Sequence, residues 1–136
     1  MINYSFNKSL RLLDATAYKA VFDNAQLKVS KQQVLYLACK NGTATPRLGL
    51  VIAKKNVRHA TQRNRIKRIL RESFRLQQHQ LGGIDTVVLA RRGLDQLDNT
   101  ALHALFNKLW QQLYEKSLKD KNKADNKAKQ QSQKNS

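Results

Sequence analysis

Apolar positions change period along this chain, and each change marks an element. Asp14 reads as the cap of a short helix through about residue 25, which sets Tyr18 and Phe22 one turn apart with Val21 beside them. Residues 27–30 and 34–40 read as strands joined by the polar link 31–33, and 41–46 is a turn cluster holding Gly42 and Pro46. In a third strand, 47–53, Leu48, Leu50 and Ile52 share one face while Gly49, Val51 and Ala53 share the other. A basic connection leads into a long helix over about 61–80, on which Ile66, Ile69, Leu70, Ser73 and Phe74 form one stripe. Gly82 and Gly83 stop it. Residues 84–91 are apolar enough for a strand interior to a sheet. A last helix over about 97–118 carries Leu102, Leu105, Phe106, Leu109, Trp110 and Leu113 at helical spacing, and Trp110 belongs to its core set.

The order α-β-β-β-α-β-α predicts an α+β two-layer sandwich, one domain over residues 1–118. Residues 119–136 hold Lys, Asp, Asn, Gln, Ser and Ala with no large apolar side chain. Such a tail cannot offset its ordering entropy by burial and is predicted to be disordered, with non-specific charge attraction at most and no specific role.

Alternation in 34–40 puts Leu35, Leu37 and Cys39 on one face and Val34, Tyr36 and Ala38 on the other. With the first set turned toward the long helices, Tyr36 is expected on the open side of the sheet, where the first helix brings Tyr18 and Phe22. Aromatics on an open sheet form a platform for unpaired bases. The spacing of Tyr18 and Phe22 also fits plain core packing. Gly49 either keeps that face shallow or avoids a clash.

Charge narrows the function. The chain has 26 Lys and Arg against 9 Asp and Glu, a net +17 that needs a polyanionic partner. On the long helix Asn64, Arg68, Arg71 and Arg75 oppose the apolar stripe, Arg65 and Lys67 flank it, and Glu72 alone is acidic. A solvated helix would mix both signs, whereas a ridge of guanidinium groups suits phosphate. Anionic lipid is the competing polyanion. Against it, no apolar run reaches membrane-spanning length, and the amino terminus has no secretory apolar region. The single cysteine, Cys39, permits no intramolecular disulfide, fits a reducing cytoplasmic setting, and sits among apolar residues as a buried thiol.

Catalytic chemistry is not evident. His59, His79 and His103 lie far apart, and Asp95 and Asp98 read as the lead-in and cap of the last helix. No cluster of carboxylates offers a paired-metal site. Neither catalytic residues nor metal ligands are therefore expected in the protein itself.

Leu48 to Val57, with Lys54-Lys55, followed by Arg63-Asn64-Arg65-Ile66-Lys67-Arg68 and Arg71-Glu72-Ser73-Phe74-Arg75, resembles the signature of the bacterial ribonuclease P protein family. Leu10-Arg11-Leu12-Leu13, the Tyr18/Phe22 helix and residues 85–93 extend the likeness over about 5–118. The resemblance implies a fold like the second domain of ribosomal protein S5, with a left-handed βαβ crossover that periodicity could not show. It implies the protein subunit of a ribonucleoprotein endonuclease that removes the 5′ leader of precursor tRNA by phosphodiester hydrolysis, leaving 5′-phosphates. The catalytic RNA would hold the Mg2+ and carry the chemistry, and the protein alone would bind no cofactor. By the same likeness, Lys54, Lys55, Arg63, Asn64, Arg65, Lys67, Arg68 and Arg71 would contact the catalytic RNA. Tyr18, Phe22 and Tyr36, flanked by Arg11 and Arg91, would line the cleft for the leader. Neither a membrane nor a small-molecule substrate is implied. A ribosomal or general RNA-chaperone protein would share charge and fold without a role in cleavage, and a protein-only nuclease would cleave without partner RNA.

Overall fold

The computed structural model describes residues 10–134 apart from Leu13, with side chains described as far as Lys119. Residues 1–9, Leu13, the side chains of the predicted tail beyond Lys119 and residues 135–136 lie outside that description.

Helix α1 (Ala15–Asp23) starts where predicted, because Asp14 Oδ1 accepts the Ala17 N–H at 2.8 Å. Strands β1 (Leu27–Ser30), β2 (Val34–Lys40) and β3 (Arg47–Val51) follow, then α2 (Ala60–Leu81), β4 (Ile84–Ala90), a 3₁₀ turn (Leu94–Gln96) and α3 (Asn99–Lys134). Gly82, at φ +67°, ends α2, and Asp98 Oδ1 caps α3 through the Ala101 N–H at 2.8 Å. The backbone of α3 passes the predicted end near residue 118. Between Leu118 and Lys134 no Gly or Pro stops it, and Lys, Ala and Gln are good helix formers.

The sheet is open, ordered β1-β2-β4-β3. β2 lies antiparallel to β1 and β4, while β3 and β4 are parallel neighbours joined through α2. Pairing of Val29 with Tyr36, Tyr36 with Val88 and Leu50 with Val88 fixes which residues share a face. Leu27, Val29, Val34, Tyr36, Ala38, Leu48 and Val88 all turn toward α2 and α3, into one core with Ile66, Leu70, Phe74, Phe106 and Trp110. Trp110 is fully buried, as expected, and donates from Nε1 to Ser73 Oγ at 2.9 Å. Its ring meets Tyr36 at a centroid distance of 4.6 Å and Phe74 at 5.4 Å.

α1 packs on the opposite face. There Leu12, Val21, Cys39 and Val87 make a smaller core, with Tyr18, Leu37, Val51 and Leu89 half-buried around it. The free edge of β3 is covered: Arg11 bridges to Leu48, Leu12 N donates to Leu48 O at 3.0 Å, and the Leu50 N–H donates to the Tyr18 hydroxyl at 3.1 Å. At the other edge, Lys116 Nζ of α3 donates to Lys28 O at 2.6 Å. At the base, Arg47 forks onto the buried Asp85 carboxylate, Nε to Oδ1 at 2.8 Å, and Asn41 donates to the same oxygen at 2.8 Å. That hydrogen bond raises the Arg47 pKa further. Burial pushes the Cys39 thiol up; the nearby Asp85 carboxylate adds to this and Arg47 opposes it.

Candidate nucleic-acid interface

The residues singled out in the sequence fall on two surfaces, apart from Tyr36. The first is α2 and the loop that feeds it. The stripe read from the sequence is the buried one: Ile66, Ile69, Leu70, Ser73 and Phe74 lie inside, while Asn64, Arg68 and Arg71 are exposed and Lys67 and Arg75 half-exposed. Arg68, Arg71, Glu72 and Arg75 line an open hollow of about 370 Å³, and its fifth wall is Arg11. Arg11 was expected to flank the aromatic cleft. It stands beside α2 instead, because its bridge to Leu48 fixes residues 10–12 along the free edge of β3.

Lys54 and Lys55 are exposed in the turn after β3. That turn is held from below, since Val57 is fully buried and Asn56 Nδ2 donates to Ala90 O at 2.9 Å. The two arginines of Arg63-Asn64-Arg65 face inward in part. Arg63 Nη1 donates to Val57 O at 3.0 Å and Arg58 O at 2.9 Å. Arg65 donates to Gln62 Oε1 at 2.8 Å, Asn99 Oδ1 at 2.9 Å and Asp95 O at 3.2 Å. These uses were not foreseen. The carbonyls they reach belong to loops whose path a one-dimensional pattern does not contain.

The second surface is the α1 face of the sheet. Phe22 is 44% exposed, a large apolar side chain left open to solvent. Tyr18, one turn before it, packs against β3: a Cβ at Gly49 would come within 2.6 Å of its ring. Gly49 is therefore a seat for Tyr18, which decides between the two readings of that glycine. Half-buried Leu35, Leu37, Val51 and Leu89 continue the face away from α1, with Lys28 and Ser30 at its rim. Arg91 bounds the far end, donating to Ser30 Oγ at 2.9 Å and Lys31 O at 2.7 Å.

Tyr36 is not on this surface. It is wholly buried on the α2/α3 face, so the expectation that it lines an open platform is corrected. Alternation shows that Tyr36 opposes Leu35 and Leu37 but is silent on which set faces the helices. The hairpin decides: Tyr36 pairs with Val29 and Ala38 with Leu27, both apolar, whereas Leu37 and Leu35 face Lys28 and Ser30. That signal is present in the alternation of β1 itself. Burial holds the Tyr36 hydroxyl well above its ordinary pKa, and it has no hydrogen-bond partner among the described residues.

Among the described residues, no group of three or more His, Cys, Asp or Glu converges as metal ligands, and no helix is long and apolar enough to cross a membrane. The family model described as Ribonuclease P matches residues 6–114. The chain belongs to the ribonuclease P protein family. It is 50% identical over 125 residues to the ribonuclease P protein component of Pseudomonas aeruginosa, covering 92% of this chain and 93% of that one. To that of Saccharophagus degradans it is 47% identical over 116 residues, covering 85% and 86%. Among solved structures, the RNase P protein of Thermotoga maritima superposes with a TM-score of 0.59 at 29% identity, over 72% of this chain and 96% of that one. The Staphylococcus aureus protein shares the fold, at a TM-score of 0.66 and 24% identity over 71% and 88%. Family membership places the chain in tRNA processing, as the protein component of a ribonucleoprotein.

Proposed function

We propose that this protein binds the catalytic RNA of ribonuclease P through α2 and its feeding loop, and the 5′ leader of precursor tRNA on the α1 face of the sheet. The observation that carries the reading is the ridge of exposed Arg68 and Arg71 with half-exposed Arg75, which α2 presents on the side away from its buried stripe. Lys54, Lys55, Asn64 and Lys67 extend it toward the start of the helix. Guanidinium and ammonium groups placed this way meet phosphates without reading sequence. The α1 face is different in kind. It is apolar, half-open and rimmed by cations, so it suits a single strand that stacks bases and tracks its backbone past Lys28 and Arg91.

In this reading hydrolysis takes place on the RNA, with Mg2+ held there, and the protein contributes affinity and placement. The site of action is the cytoplasm, where precursor tRNA is made and Cys39 stays reduced. Phe22→Ala is expected to weaken holoenzyme binding of leader-bearing precursor tRNA by about 1–3 kcal/mol, the value of one stacked base, and to leave mature tRNA binding unchanged. Equilibrium binding of both ligands checks this. Equal losses for the two would remove the leader from the α1 face.

A further inference from the structure

β3 and β4 are parallel, so the loops that leave them, residues 52–59 and 91–98, emerge at the same end of the sheet. Asn56 joins the two through Ala90 O. These loops carry the exposed cations Lys54, Lys55, Arg58 and Arg92. The first turns of α2 start between them, and there each arginine of Arg63-Asn64-Arg65 takes one loop. Residues two apart on a helix point about 200° away from each other. Arg63 accordingly reaches back to the carbonyls of Val57 and Arg58, and Arg65 reaches across to Asp95 and Asn99. Asn64, between them, is exposed.

We propose that Arg63 and Arg65 are positioning residues that lock the two loops into one rigid cationic surface, and that phosphate contacts at this end fall to Lys54, Lys55, Arg58 and Arg92. The proposal rests on the RNA-binding reading above and assigns the work within it. A guanidinium is the group that does this: its planar fork serves Gln62, Asn99 and Asp95 at once, in three directions. The three N–H groups of a lysine ammonium radiate from a single nitrogen, so they do not reproduce donors spread over Nε, Nη1 and Nη2. Fixing the loops before RNA arrives spares the complex the ordering cost of doing so on binding.

The test compares full-length Arg65→Lys, Arg65→Ala, Asn99→Ala and Arg92→Ala. Catalytic-RNA affinity is measured against salt, and amide hydrogen exchange is followed in the free proteins. Arg65→Lys is expected to lose roughly tenfold in affinity, as Arg65→Ala does, with the salt slope unchanged and faster exchange across residues 94–99. Asn99→Ala, which removes no charge, is expected to lose affinity in the same direction and to add nothing on top of Arg65→Ala. Arg92→Ala is expected to flatten the salt slope by about 0.7–0.9 while exchange stays as in the native protein. Native affinity in Arg65→Lys, with a flattened slope and unchanged exchange in Arg65→Ala, would make Arg65 a phosphate ligand and overturn the proposal. Native protein with no salt-dependent affinity for the RNA would instead bring down the underlying reading, while exchange in the free protein would still report whether the clamp exists.

Discussion

Tyr36→Ala is expected to cost the free protein about 3–5 kcal/mol of folding stability, and Tyr36→Phe to cost nothing or to stabilise. The ring fills the centre of the main core, against Trp110 and beneath α3, where no solvent reaches it. Truncation leaves a cavity that Trp110 and Val88 cannot close without moving the sheet. The hydroxyl is another matter. It is buried without a hydrogen-bond partner among the described residues, so folding desolvates it for no return. Urea unfolding of the three proteins checks both statements. In the holoenzyme, Tyr36→Phe should retain the native preference for precursor over mature tRNA. A leader-specific loss in Tyr36→Phe would mean that the hydroxyl meets RNA, which its burial forbids.

The second large effect belongs to the ridge. Replacing Arg68 and Arg71 together by Ala should weaken catalytic-RNA binding by about 2–4 kcal/mol at moderate salt, from two charge-assisted contacts. The log–log salt dependence should flatten by about 1.4–1.8. Both side chains are exposed and point away from the core, so the unfolding midpoint should stay where it is. Affinity and slope both unchanged would move the RNA off this face of α2.

Helix and strand positions were legible because each rests on local physics. Asp14, Asp98 and Gly82 mark helix ends by capping chemistry, and the stripe from Ile66 to Phe74 is the buried one. Exposure of Arg68 and Arg71 follows from the same stripe. What failed was relational. Alternation in β2 sorts side chains into two sets but does not say which set faces the helices, and Tyr36 was put on the wrong side. The family resemblance puts Arg11 at the cleft, yet its bridge to Leu48 runs along the edge of β3 and its side chain lines the hollow beside α2. Arg63, Arg65 and Arg91 all look like free cations in a list of residues. Each spends hydrogen bonds on loop carbonyls or side chains 3–61 positions away. The Arg47–Asp85 pair went unnoticed for the same reason, its partners being 38 residues apart. Local signals thus outline the surface, while tertiary contacts decide which of its cations remain available to a ligand.

The central claim is that this protein acts with a catalytic RNA on precursor tRNA. Cleavage of a 5′-leader precursor tRNA at low magnesium tests it most directly, with protein alone, the catalytic RNA of the same cell alone, and the two together. The account predicts leader removal in the mixture far faster than with RNA alone, and none with protein alone. Cleavage by the protein alone, or a mixture no faster than the RNA, would contradict it.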